Sequence, residues 1–302
     1  MRLKSRRKKN VLNNLVSLTW GDFKALTKIR LAFSVVFSSL AGYLLAAYEI
    51  DAFEIYLLLA GGFFLVAASN IYNQVIEIQL DAKMKRTSNR PLPKGRVKPK
   101  TALLMAVAFT ILGAFHLYHL NGQTAFFGLL STALYVLFYT PLKTKTPLAV
   151  FVGAIPGAIP FMLGWVAVTN DFGIETGTLF MIQFFWQFPH FWALGWMLDE
   201  DYKAGGFKML PTLKKDQSTA LQIIYYTFWT ILSSIIPYFG FTGRLILSLP
   251  TMLCILLLGL FMLYPALQLY RFQETIFARK LMLHSVIYIT LIQVIYVVDA
   301  LV

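Results

Sequence analysis

Asn73, Glu77 and Asp81 follow one another at intervals of four residues at the end of a long apolar stretch, and eight Lys or Arg residues lie between there and Lys100. At 3.6 residues per turn, side chains spaced in this way share one face of a helix. An amide oxygen and two carboxylates on one face suit a hard divalent cation such as Mg2+, which takes oxygen ligands. Lys83, Arg86 and Arg90 stand just beyond and can hold the phosphate oxygens that the metal leaves free. Oxygen ligands beside cations at a membrane face point to a metal-diphosphate site. The competing reading is a solvated helix end whose acids pair with Lys83, Lys85 or Arg86, a kind of ion pair that contributes little.

A second constellation runs from Trp186 to Lys203. Counting from His190, Leu194, Met197 and Asp201 recur at helical spacing, so His190 and Asp201 are expected on one face about three turns apart. His190 then sits deep and Asp201 near the cytoplasmic rim, at the membrane face that carries Asn73, Glu77 and Asp81. An ionisable group at membrane depth favours a functional role. Trp186, Trp192 and Trp196 are expected to wall an apolar or aromatic ligand, the alternative being an interfacial belt. Lys143, in a short polar connection, and Lys203 add cations for a diphosphate, or serve as ordinary loop charges. His116, His119 and His284 stand outside any such cluster.

The elements that position these groups are membrane helices. Of the 302 residues, 58% are hydrophobic and 14% charged, far from the make-up of a soluble domain. Nine apolar stretches, from 29–50 to 281–302, are long enough to cross roughly 30 Å of hydrocarbon. All but Arg244 of the 27 Lys and Arg residues fall before the first stretch, at its start, or in the alternate connections that follow. That bias predicts a cytoplasmic N-terminus and an external C-terminus. The net charge of +13 is spread over these short loops, so topology and anionic lipid account for it and nucleic acid is not the expected partner. Residues 1–28 read as a basic cytoplasmic segment without a signal-peptide pattern, and 29–302 as one transmembrane domain. The single cysteine, Cys254, excludes an intrachain disulfide.

Two polar connections, 77–100 and 199–218, are long, and each follows an even-numbered span. This hints that the second and sixth spans are counterparts in an internal duplication. Gly153, Pro156, Gly157 and Pro160 predict a kinked, closely packed fifth span.

The Asn73-Glu77-Asp81 spacing resembles the first motif of the UbiA superfamily of intramembrane prenyltransferases. Within it, the runs Met84–Pro99, Trp186–Phe191, Asp201–Lys203 and Met209–Pro211 are similar to the protohaem IX farnesyltransferase family. The likeness runs from about residue 25 to the C-terminus. Glu77 and Gln79 depart from the Asp residues usual in the family, and Met197 stands where quinone-directed relatives carry an acid. The resemblance implies an all-α bundle of nine transmembrane helices around a central cavity in a bacterial inner membrane. It implies Mg2+ held by Asn73, Glu77, Asp81 and Asp201, with Lys83, Arg86, Arg90, Lys143 and Lys203 on the diphosphate of farnesyl diphosphate. Haem B would be the acceptor, flanked by Trp186, His190, Trp192 and Trp196, with a haem A synthase or terminal oxidase as pathway partners. For His190, haem ligation, a substrate hydrogen bond and carbocation control all stay open. A prenyltransferase for a quinone precursor or chlorophyll-type ring shares the diphosphate half of such a site. A polytopic transporter would share the spans but would not need acids and cations clustered at one face.

Overall fold

The computed structural model describes residues 18–302, so the run from Arg2 to Lys9 and most of the basic segment 1–28 lie outside the described residues. Every regular element among the described residues is helical. A short helix α1 (Trp20–Thr27) is capped by Thr19, whose hydroxyl accepts from the Asp22 N–H. It gives way at Lys28, in the left-handed region with φ 48°, to α2 (Ile29–Ala46). There follow α3 (Ala52–Ile76), the single turn α4 (Ile78–Asp81), α5 (Pro99–Leu120) and α6 (Gly122–Ala133), which runs on through a π-helical stretch Leu134–Tyr139 to Thr140–Leu142. The remainder is α7 (Ala149–Thr169), α8 (Ile174–Met197), α9 (Asp199–Gly205), α10 (Gln217–Ile235), α11 (Leu249–Phe272) and α12 (Thr275–Leu301).

Among the described residues, eight helices are long and apolar enough to cross a membrane. The ninth expected span, α8, has the length with its 24 residues but is diluted by Gln183, Gln187 and His190. Large apolar side chains such as Leu104, Ile111, Leu137, Leu257 and Val298 stay exposed on the outside, as a lipid-facing surface requires.

Packing runs α2 on α3, α3 on α5, α5 on α6, α6 on α7, α7 on α2 and α8, α8 on α10 and α12, and α12 back to α2. Helices α2, α3, α6, α7, α8 and α12 line a central cavity, while α5, α10 and α11 pack outside it. The second and sixth spans behave alike. Glu77 breaks α3 from α4 at φ −95°, ψ 13°, and Leu198 breaks α8 from α9 at φ −105°, ψ 18°. At the same offset along the two helices, Leu194 stands where Asn73 does and Tyr202 where Asp81 does.

In α7, Pro160 removes the donor that would bond the Pro156 carbonyl, and the Ser131 hydroxyl bonds that carbonyl instead at 3.0 Å. The crossing of α2 over α7 is closer still. A Cβ on Gly164 would strike the Ser39 carbonyl, and one on Gly42 the Phe161 carbonyl, so only glycine lets these backbones meet. Overpacking a rigid backbone contact costs about 1–3 kcal/mol or more. Gly164→Leu is therefore expected to lower the unfolding temperature of the detergent-solubilised protein by several degrees, whereas Gly177→Ala, with open space around it, should leave it unchanged.

Candidate active site

The central cavity holds about 570 Å³, a size suited to small-molecule ligands. Its mouth is charged and its interior is lined by Val35, Phe37, Val66, Pro160, Val286 and Ile289. Asn73, Glu77 and Asp81 all line it, and all are buried, with 1–3% of their surface exposed. The break at Glu77 turns the chain so that Asp81 enters the same mouth from the short α4.

The hydrogen bonds orient Asn73. Thr140 Oγ1 donates its one proton to the Tyr135 carbonyl at 2.8 Å, so toward Asn73 it can only accept, from Nδ2 at 3.2 Å. Asn73 Oδ1 is thereby left for the cavity. Asp81 accepts from Arg90 through Oδ2 at 2.7 Å, and its Oδ1 is buried without a partner. Glu77 pairs with Lys143 at 2.7 Å. An orphaned carboxylate oxygen, a free amide oxygen and a second carboxylate form a hard oxygen donor set that fits a divalent cation such as Mg2+.

Four cations face the two carboxylates in the cavity wall: Lys28, Arg86, Arg90 and Lys143. Lys143 Nζ lies 4.7 Å from the centre of the Tyr139 ring and 5.4 Å from that of Phe207. Burial lowers its pKa below the ordinary lysine value, against the pull of Glu77. Lys28 was counted with the N-terminal segment, yet it reaches the same wall, where burial and the nearby Arg90 and Lys143 bring its pKa to about 7.

His190 and Trp186 line the cavity about two turns inside the end of α8. Their rings stack at 4.8 Å. Ser285 on α12 holds both: its carbonyl accepts from Trp186 Nε1 at 2.6 Å, and its hydroxyl meets His190 Nδ1 at 2.9 Å. That hydroxyl spends its proton on the Met282 carbonyl at 2.7 Å, so hydrogen-bond accounting assigns the imidazole proton to Nδ1 and a lone pair to Nε2.

Several expected partners are elsewhere. Asp201 does not line the cavity; its carboxylate accepts from the backbone N–H groups of Lys85 and Arg86 at 2.9 and 3.1 Å. The break at Leu198 ends the periodicity that linked it to His190, and Tyr202, one residue on, lines the wall instead. Lys83 is exposed outside the cavity, and Lys203 pairs with Asp199 at 2.8 Å. Trp192 and Trp196 are buried in the bundle rather than against the cavity. At 100° per residue they fall opposite the face that carries Gln183, Trp186, Gln187 and His190. Outside the site, His116, His119 and His284 each bond a helix carbonyl. Thr140, Ser285, Tyr135 and Lys28 carry no local sequence signal, because their places depend on how the helices pack, while Tyr202 lies in a run that carries the family likeness.

Residues 35–288 match the UbiA prenyltransferase family. A protein of Christiangramia forsetii called protoheme IX farnesyltransferase is 62% identical over 92% of this chain and 93% of its own. One of the same name from Flavobacterium psychrophilum is 59% identical over 93% and 94%. Among solved structures, a digeranylgeranylglyceryl phosphate synthase superposes with a TM-score of 0.77 at 19% identity, covering 93% of this chain and 98% of that one. A UbiA homologue from Archaeoglobus fulgidus bound to GPP and Mg2+ does so at 0.66 and 14% identity, covering 91% and 99%. Nine membrane-length helices among the described residues, six of them lining a cavity with Asn73, Glu77 and Asp81 at its mouth, thus belong with the sequence match, and the chain is a member of the UbiA prenyltransferase family, a multi-pass membrane enzyme.

Proposed function

We propose that this chain transfers the farnesyl group of farnesyl diphosphate to a vinyl group of haem B, giving haem O and diphosphate. The observation that carries the reading is the near full-length identity of 62% and 59% to two proteins named for that reaction. The cavity supports it, with an anion-seeking mouth above an apolar interior.

Asn73, Glu77 and Asp81 would hold Mg2+. When bound, the ion supplies Lewis-acid stabilisation of the leaving diphosphate. Lys143, Arg90 and Arg86 bind phosphate oxygens as charge develops on them. Asp201, by gripping the 85–86 backbone, acts as a positioning residue for Arg86. The allylic C–O bond breaks with its electron pair on the diphosphate. The vinyl π electrons then form the new C–C bond, water adds to the carbon next to the ring, and a proton is released. The faces of Trp186, Tyr135 and Tyr139 suit the cation-like allylic carbon. His190 Nε2 offers its lone pair to the acceptor or to the released proton.

The Lys and Arg bias supports a mouth and N-terminus in the cytoplasm and a C-terminus outside a bacterial inner membrane. A haem A synthase or terminal oxidase would take the product.

Chromatography and mass spectrometry of membrane haems test the reading. Wild type is expected to yield a hydroxyethylfarnesyl haem, and Asp81→Ala to lose about 10²-fold or more of that activity with the fold intact. Haem B alone, with farnesyl diphosphate supplied, would direct the search to quinone-type acceptors. Thr140→Val should raise the Mg2+ concentration for half-maximal turnover about tenfold or more by freeing the Asn73 amide, and Thr140→Ser should restore it.

A further inference from the structure

Lys28 occupies a position that a lysine adopts at a cost. Its φ of 48° and ψ of 54° lie in the left-handed region, which lysine enters unfavourably and which glycine or asparagine tolerate. Such backbone persists where its surroundings hold it, and an observed outlier of this kind points toward function. Here the surroundings are two amides on α3. Asn70 Nδ2 donates to the Thr27 carbonyl at 3.1 Å. Gln74 Nε2 lies 2.7 Å from the Leu26 carbonyl and 3.3 Å from that of Ala25. Both amides are almost fully buried, and they sit within one turn of Asn73. The residues that hold the end of α1 therefore belong to the same stretch of α3 that presents Asn73 and Glu77.

The result is a lysine in the cavity wall. Of the four cations there, Lys143 and Arg90 are paired with Glu77 and Asp81. Lys28 makes no ion pair with any described carboxylate, and residues 1–17 contain no Asp or Glu that could supply one. A built-in backbone distortion, two buried amides to hold it and an ammonium without a counterion converge on one role.

We propose that Lys28 is an anion-binding residue of this cavity, its ammonium contacting an oxyanion of a substrate. On the function proposed above, two substrate groups share that chemistry: a diphosphate oxygen of the prenyl donor and a propionate carboxylate of the haem acceptor.

The test uses the full chain in lipid nanodiscs, comparing wild type with Lys28→Asn, Lys28→Gly and Lys28→Arg. Asparagine and glycine remove the charge but suit the left-handed backbone, so both variants should melt at or above the wild-type temperature. Two binding titrations are run on each. Inorganic diphosphate with saturating Mg2+ is followed by tryptophan fluorescence, since Trp186 lines the cavity. Haem B and its dimethyl ester are followed by Soret absorbance. A hydrogen bond to a charged group corresponds to about tenfold or more in affinity. If the diphosphate is the partner, both uncharged variants weaken its binding about tenfold and leave haem binding unchanged. If the propionate is the partner, haem B binding weakens about tenfold while the ester binds wild type and variants alike. Lys28→Arg retains binding in either case. Stable uncharged variants that bind diphosphate and haem as tightly as wild type would overturn the assignment. Wild-type protein that binds neither ligand would instead overturn the proposed function.

Discussion

Taking a carboxylate out of water costs several kcal/mol even after a protein relaxes around it, and the loss is offset only by close partners of opposite charge. Glu77 and Asp81 are buried at the mouth of a membrane bundle, so the bundle has to bring cations to them. It does so from two directions. Arg90 returns from the polar loop after α4, and Lys143 arrives from the end of α6. Each pair adds to a polar contact between the same elements: Asn73 bonds Thr140 beside the Lys143 pair, and Thr87 bonds the Asp81 carbonyl beside the Arg90 pair. The π-helical stretch before Lys143 belongs to the same arrangement, because Thr140 at its end also orients Asn73.

On the proposed function, this pairing would let the mouth take both a cation and an anion. Each of the two acids is paired with a base, and two further cations line the mouth. A metal drawn to the acids frees bases that then favour phosphate, and a phosphate drawn to the bases frees acids that favour metal. On the proposed function, affinity for the two would then be coupled through shared partners without a change of fold.

Much of this was legible in the chain. The Asn73-Glu77-Asp81 spacing and the cations after it identify the mouth, because residues one turn apart and the loop that follows them reach the same end of the cavity. Eight of the nine expected spans follow from length and apolar composition, and α8 from length alone. Asp201 misled for a definite reason: periodicity extrapolated from His190 assumes an unbroken helix, and Leu198 breaks it. Trp192 and Trp196 misled differently. Helix α8 is enclosed on several sides, so aromatic residues on its far face are as buried as those on the cavity face, and only the phase relative to His190 separates them. Lys28 was hidden because its place depends on Asn70 and Gln74, more than forty residues away along the chain. A count of loop charges treats it like any other lysine.

The matching breaks at Glu77 and Leu198 give the cavity two equivalent backbone corners with unequal contents. One corner presents Asn73, Glu77 and Asp81; the other presents Leu194 and Tyr202. A mouth with acids at both corners would draw metal and phosphate to its whole width. This one is polarised, ionic on one flank and greasy on the other, so a charged head and a flat apolar ring can enter side by side without competing for ground.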